Sequence, residues 1–215
     1  MIDKKLAATM CDYAQKAVSE RLCGDGDVIA MRSKGGFVKN AAPFAELTED
    51  KLVEVKADDR SGQNALLGEL FATREDINAV MITHPAYVRA VAEAKATIPA
   101  VIDDMAQIVG TTCKTSKSAE VADVIKAVKG RNSCLIAGGG ALTSGRTMDE
   151  AYTCALVLDK AAHVFVCGSV VGGCKVINTL EAKLMRFVYK KKYSKTNQEN
   201  ISQREGDCYG MGQRG

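Results

Sequence analysis

The sequence predicts an α/β fold. Three observations carry that expectation: apolar residues at helical spacing open the chain, short apolar runs of strand length recur behind glycine-rich turns, and capping signals repeatedly hand a strand over to a helix. Leu6, Met10, Tyr13 and Ala17 share a helical face, and the turn formers of Leu22-Cys23-Gly24-Asp25-Gly26-Asp27 stop that helix. Val28–Arg32 and Phe37–Lys39 flank Ser33-Lys34-Gly35-Gly36, which reads as a β-hairpin because Gly-Gly supplies positive φ. Leu52–Val55 is a further strand beyond the turn around Pro43. Asn64–Thr73 sets Leu66, Leu67, Leu70 and Phe71 on one helical face, and Asn78–Thr83 is an apolar run closed by His84-Pro85. Proline suits a first helical turn, so Pro85–Ala96 is expected as a helix. His84 then stands at a strand's carboxyl end, where open α/β sheets usually hold ligands.

Downstream, Val121, Val124, Ile125 and Val128 mark a helix that Gly130 can cap. Cys134-Leu135-Ile136-Ala137 is a short buried strand entering Gly138-Gly139-Gly140. Thr147-Met148-Asp149-Glu150 has capping-box spacing before a helix over Ala151–Ala162. Ile177, Leu180, Leu184, Phe187 and Val188 suggest a last helix, after which the chain turns polar and glycine-rich. No repeat or linker is visible. The expected organisation is one domain over 1–193 and a tail over 194–215, either flexible or ordered against a neighbouring subunit.

Composition narrows the function classes. Twenty-nine Lys+Arg against 26 Asp+Glu is too nearly balanced to argue for nucleic acid. The eight cysteines are dispersed, without a CxxC pair, and read as reduced core thiols. The start lacks a long apolar core of signal-peptide type, and no apolar run of about 18 residues is evident, so a cytoplasmic protein without a membrane partner is expected.

The segments Arg74–Pro85, Ile98-Pro99-Ala100 and Leu135–Thr143, taken with the order of elements, resemble the class II aldolase and adducin family. The resemblance spans roughly residues 1 to 190 and implies a three-layer α/β/α domain with a central, mostly antiparallel sheet. Catalytic relatives hold a divalent metal, usually zinc, with a His-x-His pair at a strand end and a third histidine before a much later glycine. The positions that match here are Ile82, His84 and Gly139. Only His84 can donate a lone pair, and one imidazole does not hold zinc against water. The relatives' catalytic carboxylate falls on Gln63, which cannot take up a proton near neutral pH. Of their paired phosphate-binding serines, Ser61 matches and Gly62 does not, although backbone N–H groups there could still cradle an anion. A Gly-Asn phosphate loop corresponds to Gly26-Asp27, or Val28 in the other register, and a second phosphate turn to Asn40-Ala41-Ala42-Pro43.

Blander readings stand beside these. His84 reads more readily as a strand-end histidine hydrogen-bonded locally than as a working ligand, and His163 as a helix-end histidine. Gly138–Gly140 reads as a turn needing positive φ. Asp103 and Asp104, which with His84 or Cys134 could form a rebuilt metal site, read more readily as solvated or helix-capping residues. Lys190-Lys191-Lys192 suits a helix C-terminus. The functional expectation is a non-catalytic binding or structural homologue, assembled as a ring-like homotetramer and binding no cofactor. A small phosphorylated sugar or anion is its candidate ligand, at Ser61, Gly62, Gln63, His84 and Gly139. The alternative is an active lyase or epimerase with a rebuilt or metal-free site, using Zn2+ if that site was rebuilt.

Overall fold

The computed structural model describes residues 2–189 and Lys191. Helix α1 covers Lys4–Ser19, its start fixed by Asp3, whose carboxylate accepts the Leu6 N–H. Strands β1 (Val28–Ser33) and β2 (Gly36–Asn40) form the expected hairpin, with β3 (Leu52–Lys56) on the outer side of β2. Helix α2 (Asn64–Thr73) leads to β4 (Ala79–Thr83), and α3 (Ala86–Glu93) follows with Pro85 as its cap rather than its first residue. A two-stranded ribbon of β5 (Ile98–Pro99) and β6 (Thr112–Cys113) brackets a π-helical turn over Met105–Val109. Then come α4 (Val121–Val128), β7 (Ser133–Leu135), β8 (Ala141–Gly145) and α5 (Met148–Val170). A last helix, α6, covers 179–189. The tail, Lys190 and Lys192 lie outside the described residues.

The six-stranded sheet runs β3-β2-β1-β4-β8-β7, every neighbouring pair antiparallel. Period-2 alternation sends Ile29, Ala79 and Met81 to one face, under α1 and the start of α5. Val28, Ala30, Val80 and Ile82 go to the other, under α2 and α4. Helix α3 and the middle of α5 pack together over β7 and β8 on the first face. The result is the three-layer α/β/α architecture, and β4 at its centre is buried at all five positions.

Helix α5 extends eight residues past Ala162 and is long and apolar enough, by composition, to suit a bilayer. That corrects the expectation of no such run, yet the same helix supplies Ala151, Cys154, Leu158 and Ala162 to the domain core. Helix α6 is in place but its apolar stripe is not buried: Leu180 and Phe187 are 77% and 64% exposed. Of its apolar residues Ala182 and Met185 pack inward, with Ile177 just before the helix, against Ala100 and Ala106.

Candidate functional site

At the carboxyl end of β4 the chain brings together residues far apart in sequence. Because Val28 pairs with Ile82 across β1 and β4, the residue before β1 lies opposite the residues that end β4. His84 Nδ1 is 2.8 Å from Asp27 Oδ1. A carboxylate only accepts, so Nδ1–H donates, and in the neutral ring Nε2 is the acceptor. The other Asp27 oxygen accepts the Gly24 N–H at 2.7 Å. Burial first, and the charge and hydrogen bonding of Asp27 next, push the neighbouring Cys23 thiol from its ordinary value of 9.0 up to about 12. Cys23 is therefore a proton donor to Asp27 at neutral pH, not a thiolate nucleophile.

Glycines shape this pocket by absence of bulk. A Cβ at Gly24 would lie 2.7 Å from the His84 carbonyl oxygen and 2.8 Å from its Cβ. Asn40 holds the facing loop: Oδ1 accepts the Ile29 N–H, and Nδ2 donates to the carbonyls of Asp27 and Ala42. Beside the pair lies a cleft of about 450 Å³ lined by Gly24–Asp27, Lys39–Pro43 and Gln63.

The expected site residues divide. Gln63 reaches this cleft. Ile82 is buried in the apolar cluster with Val28, Leu142 and Cys134. The three atoms nearest a Cβ at Gly139 all belong to Ile136, and it is Gly140 that abuts the His84 ring. Of the glycine run only Gly138 has positive φ, at 69°. Ser61 faces an internal anion: its N–H and hydroxyl both donate to Asp59 Oδ1, at 2.8 and 2.7 Å, and Asn64 Nδ2 donates to Asp59 Oδ2. Those bonds, the Ser61 hydroxyl foremost, hold the Asp59 carboxyl below its ordinary range. The turn that matches the relatives' phosphate serines thus already grips a carboxylate.

A zinc site does not fit this donor set. Among the described residues no three His, Cys, Asp or Glu side chains are grouped to hold a metal. Asp103 and Asp104 are exposed, Asp104 making no side-chain cap bond, while Cys134 is fully buried with its thiol near the Val124 carbonyl. His163 lies within α5 rather than at its end, its ring stacked on Tyr87 at 4.0 Å. Sequence reasoning missed the Asp27–His84 pair, which only the β1–β4 register brings together.

Comparison with known proteins agrees with the architecture. An L-fuculose 1-phosphate aldolase structure superposes with a TM-score of 0.81 at 20% identity, covering 88% of this chain and 98% of its own. L-fuculose-1-phosphate aldolase from Thermus thermophilus gives 0.69 at 17% identity, covering 81% and 100%. An aldolase II superfamily protein from Pseudomonas syringae gives 0.70 at 16%, covering 88% and 86%. No curated protein sequence matches. The model of the class II aldolase and adducin N-terminal domain matches residues 18–166, well over half of the chain, and the protein therefore belongs to that family.

Proposed function

We propose that this chain is a non-catalytic member of its family, a binding protein whose cleft at the end of β4 takes a small polar ligand without metal. One observation carries the reading: the positions that match the relatives' metal ligands present a buried isoleucine side chain, no side chain, and one imidazole already committed through Nδ1 to Asp27. Gln63 in place of a carboxylate removes the family's base, and Asp59 fills the turn expected to hold phosphate. Lys39, lining the cleft, is the group there suited to an anionic ligand.

A second reading is favoured by the Asp27–His84 pair itself. A carboxylate that fixes the imidazole with Nε2 as acceptor builds a general base, which would serve a metal-free lyase or epimerase. Zinc analysis after exhaustive dialysis, and deuterium uptake into a phosphorylated ketose in D2O, separate the readings. We expect zinc far below one per chain and no exchange above buffer. Stoichiometric zinc would overturn the metal-free assignment, and exchange abolished by His84→Gln would establish the base.

Assembly as a homo-oligomer, with a tetramer as the family expectation, belongs to the same proposal. It is supported by Leu180, Leu184, Phe187 and Val188 on α6 and by Val170 and Val171, each more than half exposed. Light scattering at micromolar concentration should give a multiple of 22.9 kDa; a monomer would remove this ground. Residence in the cytoplasm is supported by the seven free thiols of the described residues.

A further inference from the structure

At the opposite end of β4 and β8 from His84 lies a second cavity, of about 480 Å³. The register Thr83↔Ala141 at one end and Ala79↔Gly145 at the other separates the two by the length of the strands, about 13 Å. Four arginines line it: Arg74 and Arg131 from the loops flanking the sheet, Arg146 after β8, and Arg186 from α6. Two have their charge answered. Arg74 grips Asp76 through two bonds of 2.6 and 2.8 Å, and Arg146 grips Glu150. The remaining lining carboxylate, Asp149, accepts from the Tyr13 hydroxyl.

Arg131 and Arg186 differ. Each spends one Nη1–H on a backbone carbonyl, Arg131 on Thr112 and Arg186 on Ile108, and among the described residues neither forms an ion pair. Burial first, with Arg131's like charge adding to it against Cys154, presses the Arg186 guanidinium below its ordinary pKa. Two partly buried guanidinium groups without a carboxylate of their own are costly unless an anion completes them, since the three carboxylates that line the cavity bond to Arg74, Arg146 and Tyr13 instead. Asn132 adds a second polar signal. Its Nδ2 donates to the Ile108 carbonyl, which Arg186 also uses, and this fixes the amide's orientation. Its Oδ1 is then a buried acceptor without a partner.

We infer that Arg131, Arg186 and Asn132 form an oxyanion site that takes inorganic phosphate, the arginines binding the charged oxygens and Asn132 Oδ1 accepting the phosphate O–H. Guanidinium pairs match phosphate geometry, and the orphan acceptor selects an anion that carries an O–H. This site is independent of the His84 cleft.

Calorimetric titration of the full chain with inorganic phosphate, and separately with sulfate, tests it. Near pH 7 phosphate carries a hydroxyl and sulfate does not, so phosphate should bind several-fold more tightly. The Arg131→Gln/Arg186→Gln variant should weaken phosphate binding at least tenfold. Arg131→Lys/Arg186→Lys, which keeps the charge but loses the planar fork, should bind phosphate between wild type and the Gln variant, and urea midpoints of both variants guard against loss of folding as the cause. Lys56→Gln, exposed on β3 and lining neither cavity, should change nothing, and Lys39→Gln should alter only binding in the other cleft. No phosphate binding by wild type, equal affinity for the two anions, or a loss confined to Lys39→Gln would each overturn the assignment. A phosphate monoester, mostly dianionic and without a P–O–H at this pH, should bind more weakly than inorganic phosphate; equal or tighter binding would overturn the role given to Asn132.

Discussion

Gly140→Ala should destabilise the protein by on the order of 3 kcal/mol or more, while Gly139→Ala, one residue earlier, should cost under about 0.5 kcal/mol. A Cβ at position 140 would run into the Thr83 carbonyl oxygen, and would come within 2.9 Å of the Thr83 carbonyl carbon and 2.7 Å of His84 Cδ2. The obstacle is backbone of the central strand, paired to both β1 and β8, and it cannot yield as the tip of a side chain would. Moving it would also pull His84 from Asp27. At position 139 the nearest atoms lie at 3.6 Å, an ordinary contact, and φ is outside the left-handed region. Urea midpoints of the two variants, compared at unchanged slope, decide the matter. Equal midpoints would mean that the β7–β8 turn does not pack on Thr83 in this way.

Stability should fall steeply above pH 9. Burial raises the thiols of Cys113 and Cys154 from an ordinary 9.0 to about 12, and raises Cys134 further still. The charged form of a thiol is the deprotonated one. Below the unfolded value both states are protonated and these groups are neutral in effect. Above it the unfolded chain ionises while the folded chain does not, so stability is lost progressively from pH 9 towards 12. Each fully buried thiol contributes about 1.4 kcal/mol per pH unit, and the three together roughly 4 kcal/mol per unit. Against a typical domain stability of about 5–15 kcal/mol, that suffices to unfold the chain near pH 11. Urea midpoints at pH 8 and pH 10 measure the slope. With Cys23 raised likewise, Cys113→Ala/Cys154→Ala should flatten it by about half after correction for its lower starting stability; an unchanged wild-type midpoint would show that water reaches these thiols.

What the sequence made legible follows from how local each cause is. Helices α1, α2 and α4, the first hairpin and β4 declare themselves through periodicity and turn chemistry acting within a few residues. Strand β8 does not, because Thr143, Ser144 and Gly145 read as loop residues. It is nonetheless wholly buried, and its hydroxyls are satisfied from outside the strand, Thr143 by the Ala151 carbonyl and Ser144 by that of Asn132. The length of α5 was masked by Gly168 and by His163, whose place in mid-helix depends on a tertiary stack with Tyr87. At the site, the absence of donors at Ile82, Gln63 and Gly139 was readable directly. The Asp27–His84 pair was not, since 57 residues separate its members and only the strand register unites them.

The bonds from Ser61 and Asn64 to Asp59 constrain how new chemistry could arise on this scaffold. A carboxylate two residues from its own binding turn acts as a tethered competitor, present at an effective concentration on the order of millimolar or above, whatever the surrounding solution contains. An external phosphate meets that competitor before it meets the turn. Restoring a phosphate-binding loop here is therefore not one gain but a loss followed by a gain: removing the resident charge must come first.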